Sequence, residues 1–286
     1  MDFVSFVDEI KKNKLNVYGV EVYKDRELIH SYGDTVEHVY DIYSATKSVT
    51  SIAVGVAYDR GVFDINRRIL DYIPPDYVNR MSEEQRELFD SITVERLLCM
   101  SVDGIPFRAE CENFLNCALE SKLVAPEQRV FNYSNLSTYL VCVALTEALS
   151  EDLGEFIERE IFVPLGIDKY SYERSPEGYF YGASKMKLTV NELSRIGLLM
   201  SDSGIYNGNR ILSEAYVRMA TSVRQMNREG GYGYYFWKYR DGFSINGKKC
   251  QKCYVLPNDG LVISYLCNMD DPSHILKFDM ERNLLN

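Results

Sequence analysis

Ser44-Ala45-Thr46-Lys47 sets a hydroxyl three residues ahead of an amine. The pair falls where an apolar run, Val39-Tyr40-Asp41-Ile42-Tyr43, meets a segment with Val49, Ile52, Ala53, Val56 and Ala57 at helical spacing. The first run reads as a short extended segment, the second as a buried helix stopped near Gly61. Ser44 and Lys47 then share one face of the first helical turn. A serine hydroxyl is a poor nucleophile until a base takes its proton. A lysine shielded from water can lose enough proton affinity to be that base. The helix N-terminus adds unpaired backbone N–H groups beside the hydroxyl. The same residues also read as an N-cap serine with an unrelated lysine. Ser184-x-x-Lys187 repeats the spacing with nothing else to mark it.

Two further groups could join this pair. Tyr133-Ser134-Asn135 lies in a loop before a helix that starts at Leu136. A phenol there can relay protons, and an amide can hold a substrate carbonyl or orient the lysine. The other reading is a plain loop with Asn135 as N-cap. Gly247-Lys248-Lys249-Cys250-Gln251 opens a C-terminal strand. Beside a nucleophile, such a strand could offer a cation to a substrate carboxylate and a backbone N–H to an oxyanion. Otherwise it is a basic hairpin tip.

The elements that must position these groups come from both chain ends. Phe3, Phe6, Val7 and Ile10 mark an amphipathic helix. Residues 17–23 and 27–32 read as strands joined by a Lys24-Asp25-Arg26 hairpin. Between 63 and about 185 the patterning is helical, with periodic segments at 112–121, 136–149 and 152–162 and no paired strands. Ser82-Glu83-Glu84-Gln85 and Thr189-Val190-Asn191-Glu192 are capping boxes. Strand character returns in the aromatic run 231–237, and 253–256 and 261–266 flank the turn Pro257-Asn258-Asp259-Gly260. Asp241-Gly242 and Asn246-Gly247 are turn dipeptides, and 272–284 reads as a closing helix. The expected fold class is α/β (α+β): an antiparallel sheet built from both chain ends, flanked by helices, with an inserted all-helical region. The expected domains are 1–62 with 186–286, and 63–185.

Composition narrows the function. The chain has 286 residues, 46% hydrophobic and 26% charged, which suits a globular protein with an ample core. A net charge of −10 argues against nucleic acid as a partner. No apolar run is long enough to span a bilayer, and the start, Met1-Asp2-Phe3-Val4-Ser5, is not a signal peptide. Seven cysteines, an odd number among apolar neighbours, suggest reduced thiols and a cytoplasmic location. His30, His38 and His274 lack metal-ligand spacing, so neither a metal nor another cofactor is expected. No Gly-x-Ser-x-Gly elbow is present.

Taken together, the motifs resemble the serine β-lactamase and penicillin-binding protein family, in its class C and esterase-like branch. Ser44-x-x-Lys47 matches the first motif and Tyr133-x-Asn135 the second, while 243–251 lies where the third, Lys/His-x-Gly, belongs. Leu97-Leu98-Cys99-Met100-Ser101 and Phe162-Val163-Pro164-Leu165-Gly166-Ile167 look like two more family segments, in the family's order. The resemblance implies an acyl-enzyme cycle on Ser44, with Lys47 and Tyr133 moving the proton. It also implies an oxyanion hole from the Ser44 and Gln251 N–H groups, and substrate positioning by Asn135 and Lys248. The expected substrate is a small ester, amide or D-amino-acid peptide. Cys250 departs from the motif, standing where its glycine belongs. In a strand, Lys248 and Cys250 face one way and Cys253 the other. Cys250 is therefore expected to wall the cleft and to exclude a rigid β-lactam. The alternative is a non-catalytic sensor or binding domain that is acylated without turnover.

Overall fold

The computed structural model describes residues 1–270 and 273–285. Its strands are β1 (Val17–Lys24), β2 (Glu27–Gly33), β3 (Tyr40–Asp41), β4 (Tyr170–Ser171), β5 (Lys187–Leu188), β6 (Ile205–Tyr206), β7 (Asn209–Arg210), β8 (Trp237–Tyr239), β9 (Gly242–Gly247), β10 (Gln251–Leu256) and β11 (Leu261–Cys267). Six of them form one antiparallel sheet in the order β2-β1-β11-β10-β9-β8. The sheet thus joins residues 17–33 to residues 237–267, as the alternating patterns at the two chain ends require. Two-residue turn chemistry sets the first hairpin: Asp25 and Arg26 both have positive φ, 50° and 72°.

The α-helices are α1 (Phe3–Lys12), α2 (Thr46–Asp59), α3 (Pro75–Val78), α4 (Glu83–Asp90), α5 (Val94–Leu98), α6 (Phe114–Leu119) and α7 (Asn135–Leu149). They continue with α8 (Leu153–Ile157), α9 (Val163–Leu165), α10 (Val190–Ser201), α11 (Glu214–Thr221) and α12 (Ser273–Leu284). Pro272, where the last helix was expected to start, lies outside the described residues.

Alternation along the strands sorts side chains into two cores. On one face, Phe6 and Ile10 of α1 and Leu276 and Met280 of α12 cover Val20, Val22, Tyr254 and Ile263. On the other face, Cys253, Val255 and Val262 pack under α10, in a core that continues through α2 and α7. Alpha-helix α2 is buried along Thr46–Ala57, and α7 along Leu136–Leu145. Both helices are apolar nearly all round, as interior helices must be.

Several details depart from expectation. The region 63–185 is not free of strands: β4 pairs with β5, and Arg68 bridges Thr93. Of the aromatic run 231–237 only Trp237 is in a strand, with Tyr232 in isolated bridges, because Gly231 and Tyr235 take φ of 132° and 65°, which interrupts a continuous ladder. The turn after β9 is at 248–250 rather than at Asn246-Gly247. Cys111 and Cys117 form a disulfide. Asn113 caps α6 between them, and that bend brings their Cα atoms to 6.2 Å. The remaining five cysteines are free and buried. The expectation of seven reduced thiols is corrected accordingly. Among the described residues no helix is long and apolar enough to cross a membrane.

The capping box at Thr189 ties the inserted region to the sheet. Thr189 accepts from Glu192 N, and Glu192 Oε2 accepts from Thr189 N at 2.8 Å. The buried Glu192 carboxylate also accepts from Lys169 N at 2.6 Å. Glu192→Ala strands both donors and is expected to cost about 1–3 kcal/mol. Glu192→Gln, which keeps one good acceptor, costs less. Urea unfolding of both variants checks the order; equal losses would mean that the second bond contributes nothing.

Candidate active site

The chain enters the site through a strained turn. Beta-strand β3 ends at Asp41, Ile42 is buried, and Tyr43 takes a left-handed φ of 48°. Residues Tyr43–Ala45 form one 3₁₀ turn that runs into α2. Ser44 is therefore in the turn just ahead of α2 rather than in its first turn, and it is partly exposed. Thr46 Oγ1 donates to Tyr43 O at 2.6 Å and fixes the turn. A left-handed non-glycine residue costs about 1–3 kcal/mol and tends to mark functional positions.

Lys47 is 1% exposed, and its Nζ has three neighbours. It donates to Asn135 Oδ1 and to Ala183 O, each at 2.6 Å, and lies 3.3 Å from Ser44 Oγ. Burial pulls its pKa down to about 7. A neutral amine has two hydrogens and one lone pair. The two carbonyl oxygens take the hydrogens, and the lone pair is left for the Ser44 hydroxyl.

Other chain segments build that cage. Ser134 caps α7 by accepting from Ser137 N, so Asn135 is the first helical residue and not the cap. Asn135 N donates to Phe107 O at 2.8 Å, which fixes the start of α7 and with it the amide that accepts from Lys47. Ala183 O is aimed by its neighbour: Gly182 has φ 59°, and Thr50 Oγ1 of α2 donates to Gly182 O at 2.9 Å. A side chain at 182 would collide with Cys142 Sγ. Tyr133 lies over the same amine, its ring centroid 4.9 Å from Lys47 Nζ. Burial pushes the Tyr133 phenol up to about 12, against hydrogen bonds from Ser44 and Tyr232 that pull it down. Near neutral pH it stays protonated, able to donate a hydrogen bond and not to act as a base. Phe107 and Trp237 flank it, with ring centroids at 6.4 and 5.6 Å.

The structure thus brings Ser44, Lys47, Tyr133 and Asn135 together and treats the third motif differently. Cys250 does not face this cleft. It is buried in the core under α1 and α12, beside Cys267, on the opposite side of the sheet from Cys253. The strand expected across 247–251 is a turn, in which Lys249 and Cys250 have φ of 63° and 73°. A glycine at 250 would suit that backbone, so the motif's preference there is conformational and not a matter of room for substrate. Lys248 is exposed on the turn. Gln251 is buried and spends its side chain on Cys267, accepting from its N at 2.8 Å and donating to its O at 2.7 Å. The residue that must stay small is Gly247, where a Cβ would overlap the Ile42 carbonyl oxygen. Sequence reasoning missed Gly247, Gly182 and Ala183. Of these only Gly247 carried a signal, as the glycine directly before the basic turn. Among the described residues no group of His, Cys, Asp or Glu is placed to hold a metal ion.

Comparison with known proteins bears on the family and the fold. The family model described as Beta-lactamase matches residues 10–284. No curated protein sequence matches significantly. Among solved structures, a protein described as a 6-aminohexanoate-dimer hydrolase from Bacillus anthracis is similar with a TM-score of 0.78 at 16% identity, over 97% of this chain and 80% of that one. A class C β-lactamase from Rhodobacter sphaeroides has a TM-score of 0.76 at 13% identity, over 99% of both chains. SurE, crystallised with D-Leu, has a TM-score of 0.79 at 16% identity, over 98% of this chain and 73% of that one.

If neutral Lys47 is the form that activates Ser44, phosphonylation of Ser44 by a fluorophosphonate must rise with pH through about 7 and level off above it. The sign follows because the ammonium cannot take a proton. Tyr133→Phe should lower the plateau and leave the midpoint in place. A rate that is flat from pH 5 to 9 would remove Lys47 from the base role.

Proposed function

The chain belongs to the β-lactamase family, and on that premise we propose that it is a serine hydrolase that forms an acyl-enzyme on Ser44 and acts on a small ester, amide or D-amino-acid peptide. The observation that carries this reading is the Lys47 amine, enclosed by two carbonyl acceptors and left with a lone pair 3.3 Å from Ser44 Oγ. As Oγ bonds to the substrate carbonyl carbon, its proton passes to Lys47 Nζ. The carbonyl π electrons move to oxygen, where N–H groups of the Ser44 turn and of the nearby β9–β10 hairpin stabilise the anion. Gln251 was the donor expected from the hairpin; the contact of Gly247 with Ile42 favours a donor nearer the end of β9. When the tetrahedral adduct collapses, the leaving group takes a proton through the Tyr133 phenol. Water then repeats the cycle on the ester and frees Ser44. Asn135 holds Lys47 and can also accept a hydrogen bond from substrate.

The substrate class follows from what lines the cleft. Phe107, Tyr133 and Trp237 supply aromatic walls. Lys248 is exposed on its turn, and among the described residues no contact fixes it over Ser44. The names of the structural relatives, one with an amide of an amino acid and one with a D-amino acid, support amide and D-peptide substrates beside esters. The sensor reading leaned on Cys250 as a cleft residue, and its place under α1 and α12 removes that support.

The test is turnover of p-nitrophenyl acetate, a D-leucyl anilide and nitrocefin, with intact-mass detection of the acyl-enzyme. Turnover of the ester or anilide is expected, with an adduct that Ser44→Ala abolishes. Lys47→Ala and Tyr133→Phe should each lower kcat about 10²–10⁴-fold with little change in KM. A single equivalent of product with a persistent adduct would establish the sensor instead.

A further inference from the structure

A small polar pocket borders the Ser44 turn at Tyr43. It holds about 280 Å³, just under the range of drug-sized sites. Asp41, Tyr43 and Lys187 line one side, and Tyr18, Gln251 and Asn268 the other. The Tyr18 ring stacks on Tyr40 at 3.9 Å and gives the pocket a flat apolar surface. Gln251 is already engaged with the Cys267 backbone.

Strand register decides which charges meet there. Across β3 and β5, Tyr40 pairs with Leu188 and Asp41 with Lys187. Leu188 is fully buried in the core, so Asp41 and Lys187, one residue along, point the other way and line the pocket. Directly opposed residues on antiparallel strands carry their Cβ atoms ~4.5–5.5 Å apart, and opposite charges so placed stabilise each other when they pair. Here they stay apart: among the described residues neither Asp41 nor Lys187 has an ion pair or a side-chain hydrogen bond. The Asn268 amide and the Tyr18 and Tyr43 phenols are unbonded as well. The pocket wall thus presents a free carboxylate, a free ammonium and spare donors and acceptors within one strand spacing.

We propose that this pocket binds a free α-amino acid, its carboxylate held by Lys187 and its ammonium by Asp41. Such a molecule carries both charges on one carbon, which matches two opposite charges on directly opposed residues. A dicarboxylate would meet repulsion at Asp41, and a diamine at Lys187. The amino acid side chain lies against the Tyr18–Tyr40 stack. The inference builds on the hydrolase reading in one respect: the pocket shares Tyr43 with the Ser44 turn, so an amino acid freed by hydrolysis has a binding place beside the nucleophile.

Calorimetric titration of Ser44→Ala with D-leucine and with L-leucine tests this in the absence of turnover. Saturable binding of at least one enantiomer is expected. Leucinamide lacks the carboxylate and N-acetyl-leucine lacks the ammonium. Each should bind at least about tenfold more weakly, the effect of losing one charge-assisted contact. Lys187→Gln and Asp41→Asn, each added to Ser44→Ala, should weaken leucine binding by a similar factor. With Asp41→Asn, leucine and N-acetyl-leucine should bind alike, and with Lys187→Gln, leucine and leucinamide should. General damage to the pocket would not give that pattern. Circular dichroism confirms that each variant is folded, and Lys187→Gln, exposed on its strand, carries the test if Asp41→Asn is not. The proposal fails if neither enantiomer gives saturable binding, or if both variants bind leucine as tightly as the parent. It fails also if both analogues bind as tightly as leucine. Turnover by the wild type is scored separately, so a protein that binds leucine without hydrolysing anything contradicts only the hydrolase reading, and one that hydrolyses without binding leucine contradicts only this one.

Discussion

An amine without water is the constraint on which the site depends. Lys47 sits among apolar helices, and a charged amine there would be expensive. The protein meets this cost by letting the amine go neutral and by giving its two hydrogens to carbonyl oxygens. What remains is a lone pair beside a hydroxyl, at a pKa of about 7, where a base is most useful. In the proposed mechanism, activation of Ser44 is a by-product of how Lys47 is buried. The opposite shift of Tyr133, up to about 12, would suit the two groups to distinct roles in the proposed mechanism, base and donor.

The fold can be seen as the apparatus that maintains this enclosure. One acceptor comes from the first residue of α7, and the other from the loop before β5. Alpha-helix α2 grips the surrounding loops with its own polar side chains: Thr50 holds Gly182 O, and Ser48 Oγ donates to Tyr235 O at 2.8 Å. These hydroxyls sit in a helix that is otherwise apolar, and their partners are loop carbonyls that would go unpaired without them. The sheet supplies the last wall through Gly247, which lets β9 approach the backbone just before Ser44. Chain ends, insertion and sheet thus converge on one turn of about five residues.

Much of this could be read from sequence because it is local. Periodicity located α2, α7 and α10, and the alternating runs at both ends located the sheet. The capping box at Thr189 formed as its spacing implied. Ser44 lies near Lys47, and Tyr133 near Asn135, because each pair is only two or three residues apart in the chain. What failed was long-range or conformational. Ala183 contributes only a carbonyl, which no side-chain pattern can mark. Alternation put Cys250 and Cys253 on opposite faces, as found, but it does not say which face borders Ser44, and Cys250 lies on the face covered by α1 and α12. The disulfide between Cys111 and Cys117 depends on a helix cap between them, a detail that cysteine counting does not contain.

The protonation of Lys47 at rest is the point where the account is most exposed. It can be observed without a substrate, by NMR of protein carrying labelled lysine side chains, with the Lys47 signal assigned by its loss in Lys47→Met. The account predicts that the Lys47 amine titrates near pH 7, apart from the other lysines. A Lys47 that remains an ammonium ion up to pH 10 would contradict it, since an amine that holds all its protons has no lone pair to offer Ser44.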